Sequence, residues 1–480
     1  KLKFLMDQAQ DFAISHGITI RNKENPLTAD KAQIAPYLLL PSPMIRKRFM
    51  EAVKVQKDFN ELYHKVAHDY NFLRDALKSA IEVDSFTKGL WDIYETVRNE
   101  GIAQPISFGL ARSDYMVDYD PESTQSIMGN GADVNCGPND SNTRLRQVEY
   151  NTIASSFAGL DTQVAKLHRY LASEMELEGV TDKLLETNPV GGLASGIVKA
   201  WQLYGNEKAA VVFVLNASER NVYDQRWLEY AIYEQNSRIR VLRCTIQDMR
   251  EAILTEDKKL IIKEKEVGVV YFRSLYSPDS FTSDEDWETR LKIERSMAIK
   301  CPNINLHLSG AKKIQQEVTK PGIVERYIKD PQAVQRIRAT FAQQFSLEQN
   351  EEGDNAVRLG IEKSDRFVLK PQREGGGNNL FGDDIKDLLS KIKDSNERTQ
   401  YILMEKIRPP VFKNYAVRAD ESVALWDMVS ELGIYGVIIG TSDGIIMNTE
   451  CGHLVRTKTL GTNEGGVAAG FAALDSPYLV

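Results

Sequence analysis

Apolar residues recur at roughly helical spacing through the first hundred residues of the chain. In the segment 46–83, Phe49, Val53, Phe59 and Leu62 are separated by charged residues. This spacing is typical of amphipathic α-helices, because residues three and four positions apart lie on the same side of a helix. The N-terminal part of the chain is therefore predicted to be helical.

Alternating patterns begin at about residue 105. Ile106, Phe108 and Leu110 occupy every second position of the segment 105–119, which predicts a strand because successive side chains of a strand point to opposite faces. The segment 118–146 is rich in Asp, Asn, Ser, Gly and Pro. That composition predicts a long, mobile surface loop, inserted between two paired strands.

An apolar strand, an amphipathic helix and a second strand follow one another in the middle of the chain, with a further strand after them. The segments are 209–215, 225–235, 238–246 and 260–273. This order is typical of a βαβ unit and predicts a parallel sheet, which could form a small α/β domain set into a larger one. Another helix is predicted to open in GAKKIQQEVTK, and residues 365–458 are rich in strand patterns.

Composition narrows the class of protein. The 480 residues are 42% hydrophobic and carry a formal net charge of −8, which indicates globular units and disfavours broad nucleic-acid binding. No uncharged apolar stretch approaches the roughly 18–20 residues that cross a bilayer, and no targeting segment is visible. The chain has four cysteines without CxxC spacing, Cys136, Cys244, Cys301 and Cys451. We therefore expect reduced thiols in the cytosol.

Three consecutive glycines follow a predicted strand that ends at Lys370. Gly375, Gly376 and Gly377 lack Cβ atoms, so backbone amides could approach an anion closely, and Lys370 and Arg373 add positive charge. The segment is neither a Walker A loop nor a GxGxxG fingerprint. We favour a phosphate-binding loop over the alternative, a flexible hairpin tip.

Two other strands carry polar residues on one face. Glu149 and Asn151 lie two positions apart, about 7 Å along a strand, and offer oxygen ligands suited to magnesium. A solvated strand face explains that pattern equally well. Arg456 and Lys458 share a strand face before a second glycine-rich segment, 461–470, which favours an anionic ligand over two solvated cations.

Ten segments of the chain, taken in order, resemble the eukaryotic glutathione synthetase family over nearly the full length. They are FGLARSDYM, QVEYNTIASSFAGL, ERNVYDQ, VVYFRSLY, LSGAKKIQQE, FVLKPQREGGGNN, YILMEKI, SELGIYG, HLVRTK and EGGVAAGFAALDSPY. The resemblance implies an α/β (α+β) protein with a circularly permuted ATP-grasp fold. It also implies a cytoplasmic, magnesium-dependent homodimer that joins γ-glutamylcysteine to glycine with ATP, without nucleic-acid or membrane partners.

The resemblance further implies three sets of site residues. The metal set is Glu149, Asn151 and Glu374. The nucleotide set is Glu149, Lys312, Lys370, Glu374, Gly375, Gly376, Gly377, Asn378, Asn379, Phe381, Met404, Glu405, Lys406, Ile407, Glu431, Lys458 and Glu464. The peptide set is Arg112, Ile153, Ala154, Ser155, Ser156, Glu219, Arg220, Asn221, Gln225, Arg273, Ser274, Leu275, Tyr276, Arg456, Val467 and Ala468.

The family pattern also implies a division of the chain. We expect the helical and main-sheet part of the body at 1–205, a substrate-binding α/β domain with a parallel sheet at 206–309, and an ATP-binding part at 310–480. The last part would contain a glycine-rich lid at about 365–430 and an alanine- and glycine-rich loop near the C-terminus. Two features depart from the family: Phe381 replaces a usual tyrosine, and the segment 118–146 is longer than usual.

The chemistry expected of this family matches the residues. A carboxylate is a poor acyl donor, so the γ-phosphoryl group of ATP must first form an acyl phosphate, and cations must surround its oxygens. Lys312, Lys370 and Arg456 are the predicted catalytic cations. Two alternatives stay open: an ATP-dependent phosphotransferase, and a non-catalytic nucleotide-binding protein of the same fold.

Overall fold

Helices and strands are mixed along the whole chain. The computed structural model describes residues 2–28, 30–119, 142–176, 179–374, 377–419, 422–462, 466–467, 470 and 472–480. The helices are α1 (Leu2–Ser15), α2 (Arg46–Ala67), α3 (Tyr70–Val83), α4 (Ser85–Glu100), α5 (Ala158–Glu174), α6 (Pro189–Tyr204), α7 (Val222–Gln235), α8 (Ile246–Met249), α9 (Asp284–Glu294), α10 (Ile304–Ser309), α11 (Lys312–Thr319), α12 (Ile323–Tyr327), α13 (Pro331–Thr340), α14 (Glu351–Glu362) and α15 (Asp383–Ile392). Helices α1 to α4 confirm the predicted helical N-terminal part, but the prediction is wrong between Thr19 and Met44, where the chain forms four short strands.

The strands among these residues form several sheets. They are β1 (Thr19–Arg21), β2 (Ala32–Ile34), β3 (Tyr37–Leu38), β4 (Ser42–Met44), β5 (Ser107–Tyr119), β6 (Thr143–Asn151), β7 (Ala210–Val214), β8 (Val241–Cys244), β9 (Ile253–Leu254), β10 (Leu260–Ile262), β11 (Lys265–Phe272), β12 (Ile299–Cys301), β13 (Gln344–Ser346), β14 (Phe367–Pro371), β15 (Leu380–Phe381), β16 (Tyr401–Glu405), β17 (Phe412–Val417), β18 (Leu425–Thr441), β19 (Gly444–Thr459), β20 (Ala473–Asp475) and β21 (Pro477–Leu479). The structure is therefore mixed α/β, as the sequence predicts.

A seven-stranded sheet forms the centre of the structure, in the order β17-β3-β20-β19-β18-β5-β6. Its pairs are antiparallel except for β3 with β20. Helix α2 covers one face, where Phe59 is fully buried beside Tyr63, Tyr115 and Tyr150. Since side chains alternate along each strand, the residues between these aromatic groups point to the opposite face.

The predicted parallel sheet is confirmed. Strands β8, β7, β11 and β12 are neighbours and run parallel, and α7 connects β7 to β8. The single strand predicted at 260–273 is wrong, because β10 and β11 form a hairpin around Lys263 and Glu264. Both turn residues have positive φ, 48° and 60°, as the tight turns that fit the twist of a hairpin require. Neither residue is a glycine or an asparagine, the residue types that usually occupy such a turn.

A four-stranded antiparallel sheet, in the order β13-β16-β14-β15, packs against α14 and α15. Leu369 and Leu403 are fully buried between this sheet and the helices. Strand β14 pairs with β16 from Phe367↔Glu405 to Pro371↔Tyr401. The sheet therefore holds the residues after β14 on a rigid support.

The paired strands predicted on either side of the segment 118–146 are confirmed, but the boundaries of that segment are wrong. Residues 118–119 and 143–146 belong to β5 and β6, which pair as far as Tyr119↔Thr143. Asp118 fits the strand because its carboxylate accepts a bond from the Arg408 amide at 2.9 Å and lies 3.8 Å from Arg146. The remainder, 120–141, lies outside the described residues.

Within the described ranges, no helix is long and apolar enough to cross a membrane.

The α2 face of the central sheet also contains a buried carboxyl group, that of Asp475 on β20. It accepts bonds from the Thr457 hydroxyl at 2.6 Å and from the Ser476 amide at 2.7 Å. Burial raises the pKa of Asp475 to about 7, although these bonds act in the opposite direction. The folded protein therefore keeps a proton that the unfolded chain loses near pH 4.

We predict that Asp475 makes the stability depend on pH. Below the unfolded pKa both states are protonated; as the pH rises from about 4 to 7 only the unfolded state releases its proton, so the stability falls by about 3–4 kcal/mol. In Asp475→Asn this contribution should be absent. Urea denaturation of both proteins at pH 4.5 and 7.5 measures the difference. Equal pH dependence of the two proteins would contradict the assignment.

Candidate active site

The face of the central sheet opposite α2 carries a row of charged residues. Arg112 and Asp114 alternate on β5, and they pair in register with Asn151 and Glu149 on β6. Tyr150, between the last two, is buried against Tyr63 in the α2 cluster, with ring centroids 4.1 Å apart. Glu149 and Asn151 therefore share the face that does not contact α2.

Strands β18 and β19 extend this charged face. Glu431 pairs with Arg456 across the two strands, and Lys458 pairs with Val429. The Arg456 Nη2 atom donates to Glu431 and, at 3.0 Å, to Oδ2 of Asp114. Glu431 and Arg456 are both largely buried. Four strands thus bring together residues from the nucleotide, metal and peptide sets.

Lys312, the first residue of α11, lies between two carboxylates. Its Nζ atom is 3.1 Å from Oε2 of Glu149 and 2.8 Å from Oε1 of Glu374. Burial opposes the charge on Lys312, but the two carboxylates raise its pKa above the usual range. The pKa of Glu149 is lowered, because Lys312, Lys370 and Arg456 outweigh the effect of its burial.

Glu374 differs from Glu149 in its electrostatics. Burial raises the pKa of Glu374, and repulsion from Glu149 adds to the effect, although Lys312 opposes both. Lys370 on β14 is also buried, which lowers its pKa. Its Nζ atom donates to the carbonyl oxygen of Val148 at 2.7 Å. The end of β14 is thereby connected to β6, from which Glu149 extends.

The metal set offers three oxygen donors that fit magnesium. The amide nitrogen of Asn151 donates to the Arg112 carbonyl at 3.1 Å and to Asp114 at 3.0 Å, which leaves the amide oxygen for a cation. Among the residues described here, no group of three or more His, Cys, Asp or Glu side chains could hold a metal ion. Two carboxylates and one amide suit Mg²⁺, which keeps substrate phosphates and water in its coordination shell.

Two loops that carry residues of the peptide set have strained backbone conformations. Ala154 and Leu275, both in the peptide set, have positive φ of 58° and 67°, and Phe157 follows with 74°. Such conformations are costly for non-glycine residues and concentrate at functional sites. The loops are held by polar bonds: Tyr435 donates to the Ser156 carbonyl at 2.5 Å, and Ser274 donates to the Val214 carbonyl at 3.2 Å.

Arg273 is buried at the end of β11 beside a carboxylate that the sequence analysis missed. Its Nη2 atom lies 3.9 Å from Oδ2 of Asp224. Asp224 also accepts backbone bonds from Phe157 at 2.7 Å and Gly159 at 2.9 Å, at the N-terminus of α5. Burial opposes the charge on Arg273, but Tyr271, among other neighbours, shifts its pKa upwards. Asp224 therefore connects the two strained loops.

The other members of the peptide set have different surroundings. Arg220 donates to the Arg21 carbonyl at 3.3 Å, in the β1–β2 hairpin. Asn221 and Gln225 are buried, and the Asn221 Oδ1 and Gln225 Nε2 atoms have no hydrogen-bond partner in the described part of the chain. Glu219 accepts a long bond, 3.4 Å, from Asn216. Ile153 and Val467 are buried, and Tyr276 is half-buried.

The rest of the nucleotide set lies around the four-stranded sheet. Met404 is buried and Glu405 half-buried on β16, and Lys406 lies 5.8 Å from the ring of Phe381 on β15. Ile407 follows Lys406, and Gly377 has a φ of 95°. The segment around Met404 is thus a core strand, and the role of its C-terminal end in nucleotide binding stays a prediction. Asn378 is exposed and Asn379 half-buried; Gly375, Gly376, Glu464 and Ala468 lie outside the described residues.

Asp114 is the second residue that the sequence analysis missed. Its carboxylate is fully buried at the centre of the charged face and contacts Arg112, Asn151 and Arg456. The sequence does contain an indication of this position, because Arg112 and Asp114 lie two positions apart on a predicted strand and therefore share one face. Asp224 had no such indication in the sequence, because its contacts join residues about fifty positions apart or more.

The mixed α/β fold brings cations and carboxylates from all three predicted sets together on this face, and comparison with known proteins gives the family. Residues 1–479 match the family model for the eukaryotic glutathione synthase, ATP binding domain. Glutathione synthetases from Xenopus laevis and Homo sapiens are each 42% identical to the chain, and each alignment covers 100% of this chain and 97% of the relative. The chain belongs to the eukaryotic glutathione synthase family.

A solved structure supports the same conclusion. The chain superposes on a glutathione synthetase-like effector from Globodera pallida, in its apo form, with a TM-score of 0.76 and 26% identity; the match covers 100% of this chain and 98% of the effector. The predicted family, the function of a glutathione synthetase and the class of ATP-dependent ligase are confirmed. The phosphotransferase and non-catalytic alternatives are not favoured.

Proposed function

We propose that the charged face of the central sheet is where γ-glutamylcysteine and glycine are ligated with ATP, giving glutathione, ADP and phosphate. The observation that carries this proposal is the position of Lys312 between Glu149 and Glu374. Lys370 and Arg456 are close enough to lower the pKa of Glu149 as well. These five residues come from different parts of the chain. They supply cations and metal ligands to one place, as phosphoryl transfer to a carboxylate requires.

The reaction proceeds in two transfers. An oxygen of the peptide carboxylate attacks the γ-phosphorus of ATP, the bond to the β–γ bridging oxygen breaks, and ADP leaves. The glycine amine then attacks the acyl carbon, loses a proton, and phosphate departs with the electron pair of the acyl–oxygen bond. Lys312, Lys370 and Arg456 stabilise the charge on the transferring oxygens.

Magnesium would be held by Glu149, Asn151 and Glu374, and it would neutralise charge on the phosphate oxygens. The oxygen donors of these side chains support this assignment, and so does the ammonium group that already lies between the two carboxylates. No covalent enzyme intermediate is needed. This agrees with a mechanism that uses neither a serine nor a cysteine nucleophile.

The peptide substrate would occupy the region between Arg112, Arg273 and Arg456. All three guanidinium groups are largely buried, and an arginine–carboxylate contact in such surroundings is charge-assisted and can be bidentate. The strained backbone at Ala154 and Leu275 supports a binding role for the two loops that contain them.

We also propose the family architecture for this chain: a circularly permuted ATP-grasp fold with parts at 1–205, 206–309 and 310–480, and a lid at about 365–430. The separate parallel sheet, with strands between residues 210 and 301, and the four-stranded sheet support this division. A homodimer and a cytoplasmic location remain part of the proposal. Sedimentation of the purified protein tests the first. Localisation of the tagged chain tests the second, since the relative from Solanum lycopersicum is described as chloroplastic.

We predict that phosphate release requires both γ-glutamylcysteine and glycine and matches the formation of a new amide one to one. The reason is that the acyl phosphate is consumed only by the amine. A coupled ADP assay and a separate phosphate assay, with glycine present or omitted, measure this. A phosphorylated product that accumulates without free phosphate would instead identify a phosphotransferase.

We predict that Glu374→Gln lowers turnover at least a hundredfold and leaves the fold intact, because it keeps the shape of the side chain but removes a charged metal ligand. Glu348→Gln is the matched control: Glu348 pairs with the neighbouring Lys313 at 2.6 Å, as Glu374 pairs with Lys312. Steady-state kinetics and thermal unfolding compare the two. Full activity of Glu374→Gln at ordinary magnesium concentrations would remove Glu374 from the metal set.

We predict that Arg273→Ala raises the KM for γ-glutamylcysteine roughly ten- to a hundredfold, the effect of losing a charged hydrogen bond of about 1.5–3 kcal/mol. The KM for ATP should change far less. Arg295→Ala, which breaks the exposed pair with Glu100, is the control and should change neither constant. If only the KM for ATP rose, the peptide site would lie elsewhere.

A further inference from the structure

One carboxylate of the charged face contacts residues from both the metal set and the peptide set. Asp114 is fully buried. Its Oδ1 accepts from Nε of Arg112 at 2.6 Å and its Oδ2 from Nη2 of the same guanidinium at 2.8 Å, in a bidentate pair. Oδ2 also accepts from Arg456 at 3.0 Å and from the Asn151 amide at 3.0 Å. Asp114 thus accepts hydrogen bonds from three neighbouring side chains.

The bond to Asn151 determines which atom of that amide is available. The nitrogen donates to Asp114 and to the Arg112 carbonyl, so the oxygen is the atom left for a cation. If the amide turned over, it would present its N–H₂ group to the cation, and Asp114 would face an oxygen. A negative acceptor at position 114 therefore maintains the orientation of Asn151 that can bind a metal.

The bonds to the two arginines determine their positions as well. Burial and repulsion from Arg112 oppose the charge on Arg456, but the neighbouring carboxylates, with Glu431 first, raise its pKa overall. The Nη2 atom of Arg456 donates to Asp114 on β5 and to Glu431 on β18. Two acceptors on different strands fix the guanidinium group more narrowly than either would alone, because hydrogen bonds are directional.

The opposite strand leaves room for this arrangement. Gly433 on β18 pairs with Asp114. A Cβ atom at position 433 would lie 2.8 Å from Cδ of Arg112 and 2.9 Å from Oδ1 of Asp114. The absence of a side chain at Gly433 is therefore a condition for the bidentate pair, independent of the hydrogen bonds themselves.

We propose that Asp114 is a positioning residue of the ligation site, which keeps the Asn151 oxygen available to the metal and fixes the guanidinium groups of Arg112 and Arg456 for the peptide substrate. This inference rests on the proposed function and adds a positioning residue to the proposed site. Asp114 itself contacts neither substrate; it acts through residues of the metal and peptide sets.

Two variants test the proposal. Asp114→Asn keeps the size of the side chain, but the new N–H₂ group can face the donors of Arg456 and Asn151. Gly433→Ala keeps every charge and only displaces the bidentate pair. Asp475→Asn is the matched control, since it makes the same substitution at an equally buried carboxyl group on the other face of the same sheet.

Four quantities are measured for each protein: the unfolding temperature, the KM values for γ-glutamylcysteine and ATP, the Mg²⁺ concentration that gives half-maximal turnover, and the affinity for ADP with and without Mg²⁺ by calorimetry. We expect Asp114→Asn to raise the KM for the dipeptide and the required Mg²⁺ about tenfold or more. It should also reduce the enhancement of ADP binding by Mg²⁺. Gly433→Ala should show the same pattern more weakly, and Asp475→Asn should alter only the unfolding temperature.

The outcomes separate this inference from the proposed function. If the wild-type protein shows no glycine-dependent phosphate release, the proposed function fails. If the wild-type protein is active and the variants change the unfolding temperature but neither the dipeptide KM nor the Mg²⁺ dependence, Asp114 is only structural and the inference is overturned. If Asp114→Asn does not fold, Gly433→Ala decides by the same criteria.

Discussion

The contact of Lys312 with Glu149 and Glu374 is the interaction on which the arrangement of the site depends. An isolated buried charge is costly, and each of these three charges is tolerated because the others lie next to it. The contact also joins three separate parts of the structure: Glu149 on β6 of the central sheet, Lys312 at the start of α11, and Glu374 after the end of β14. Removing Lys312 would leave two carboxylates facing each other and would remove one of the contacts between the four-stranded sheet and the central sheet.

The alternation of side chains along the strands of the central sheet places these charged groups on one face of the sheet. On β5, β6, β18 and β19 one face packs against α2 through residues such as Tyr115 and Tyr150, and the other carries the charged groups. The aromatic packing fixes the register of the strands, since a shift of one residue would exchange the two faces. The same packing that stabilises the fold therefore places Glu149 opposite Asp114 and Arg456 opposite Glu431.

The sequence predicts those parts of the structure that depend on local patterns. The helical N-terminal region, the parallel sheet around β7 and the shared face of Glu149 and Asn151 follow from periodicity. The turn at Lys263 and Glu264 does not, because its residues lack the usual turn chemistry. Asp224 was missed for another reason: its role comes from contacts that only the folded chain forms. Asp114 shares a strand face with Arg112, which the sequence shows, but nothing in the sequence indicates that its carboxylate is buried.

The charges of the site finally suggest why a metal ion is needed. Among the groups that contact one another or affect each other's pKa, four cations, Arg112, Lys312, Lys370 and Arg456, accompany four carboxylates, Asp114, Glu149, Glu374 and Glu431. These eight groups have no net charge, which lowers the free-energy cost of burying them, and among themselves they provide no excess positive charge for a triphosphate. In the proposed function, magnesium would supply the positive charge that this set lacks. Glu149 and Glu374, which share one ammonium group, are the carboxylates that we propose to bind it.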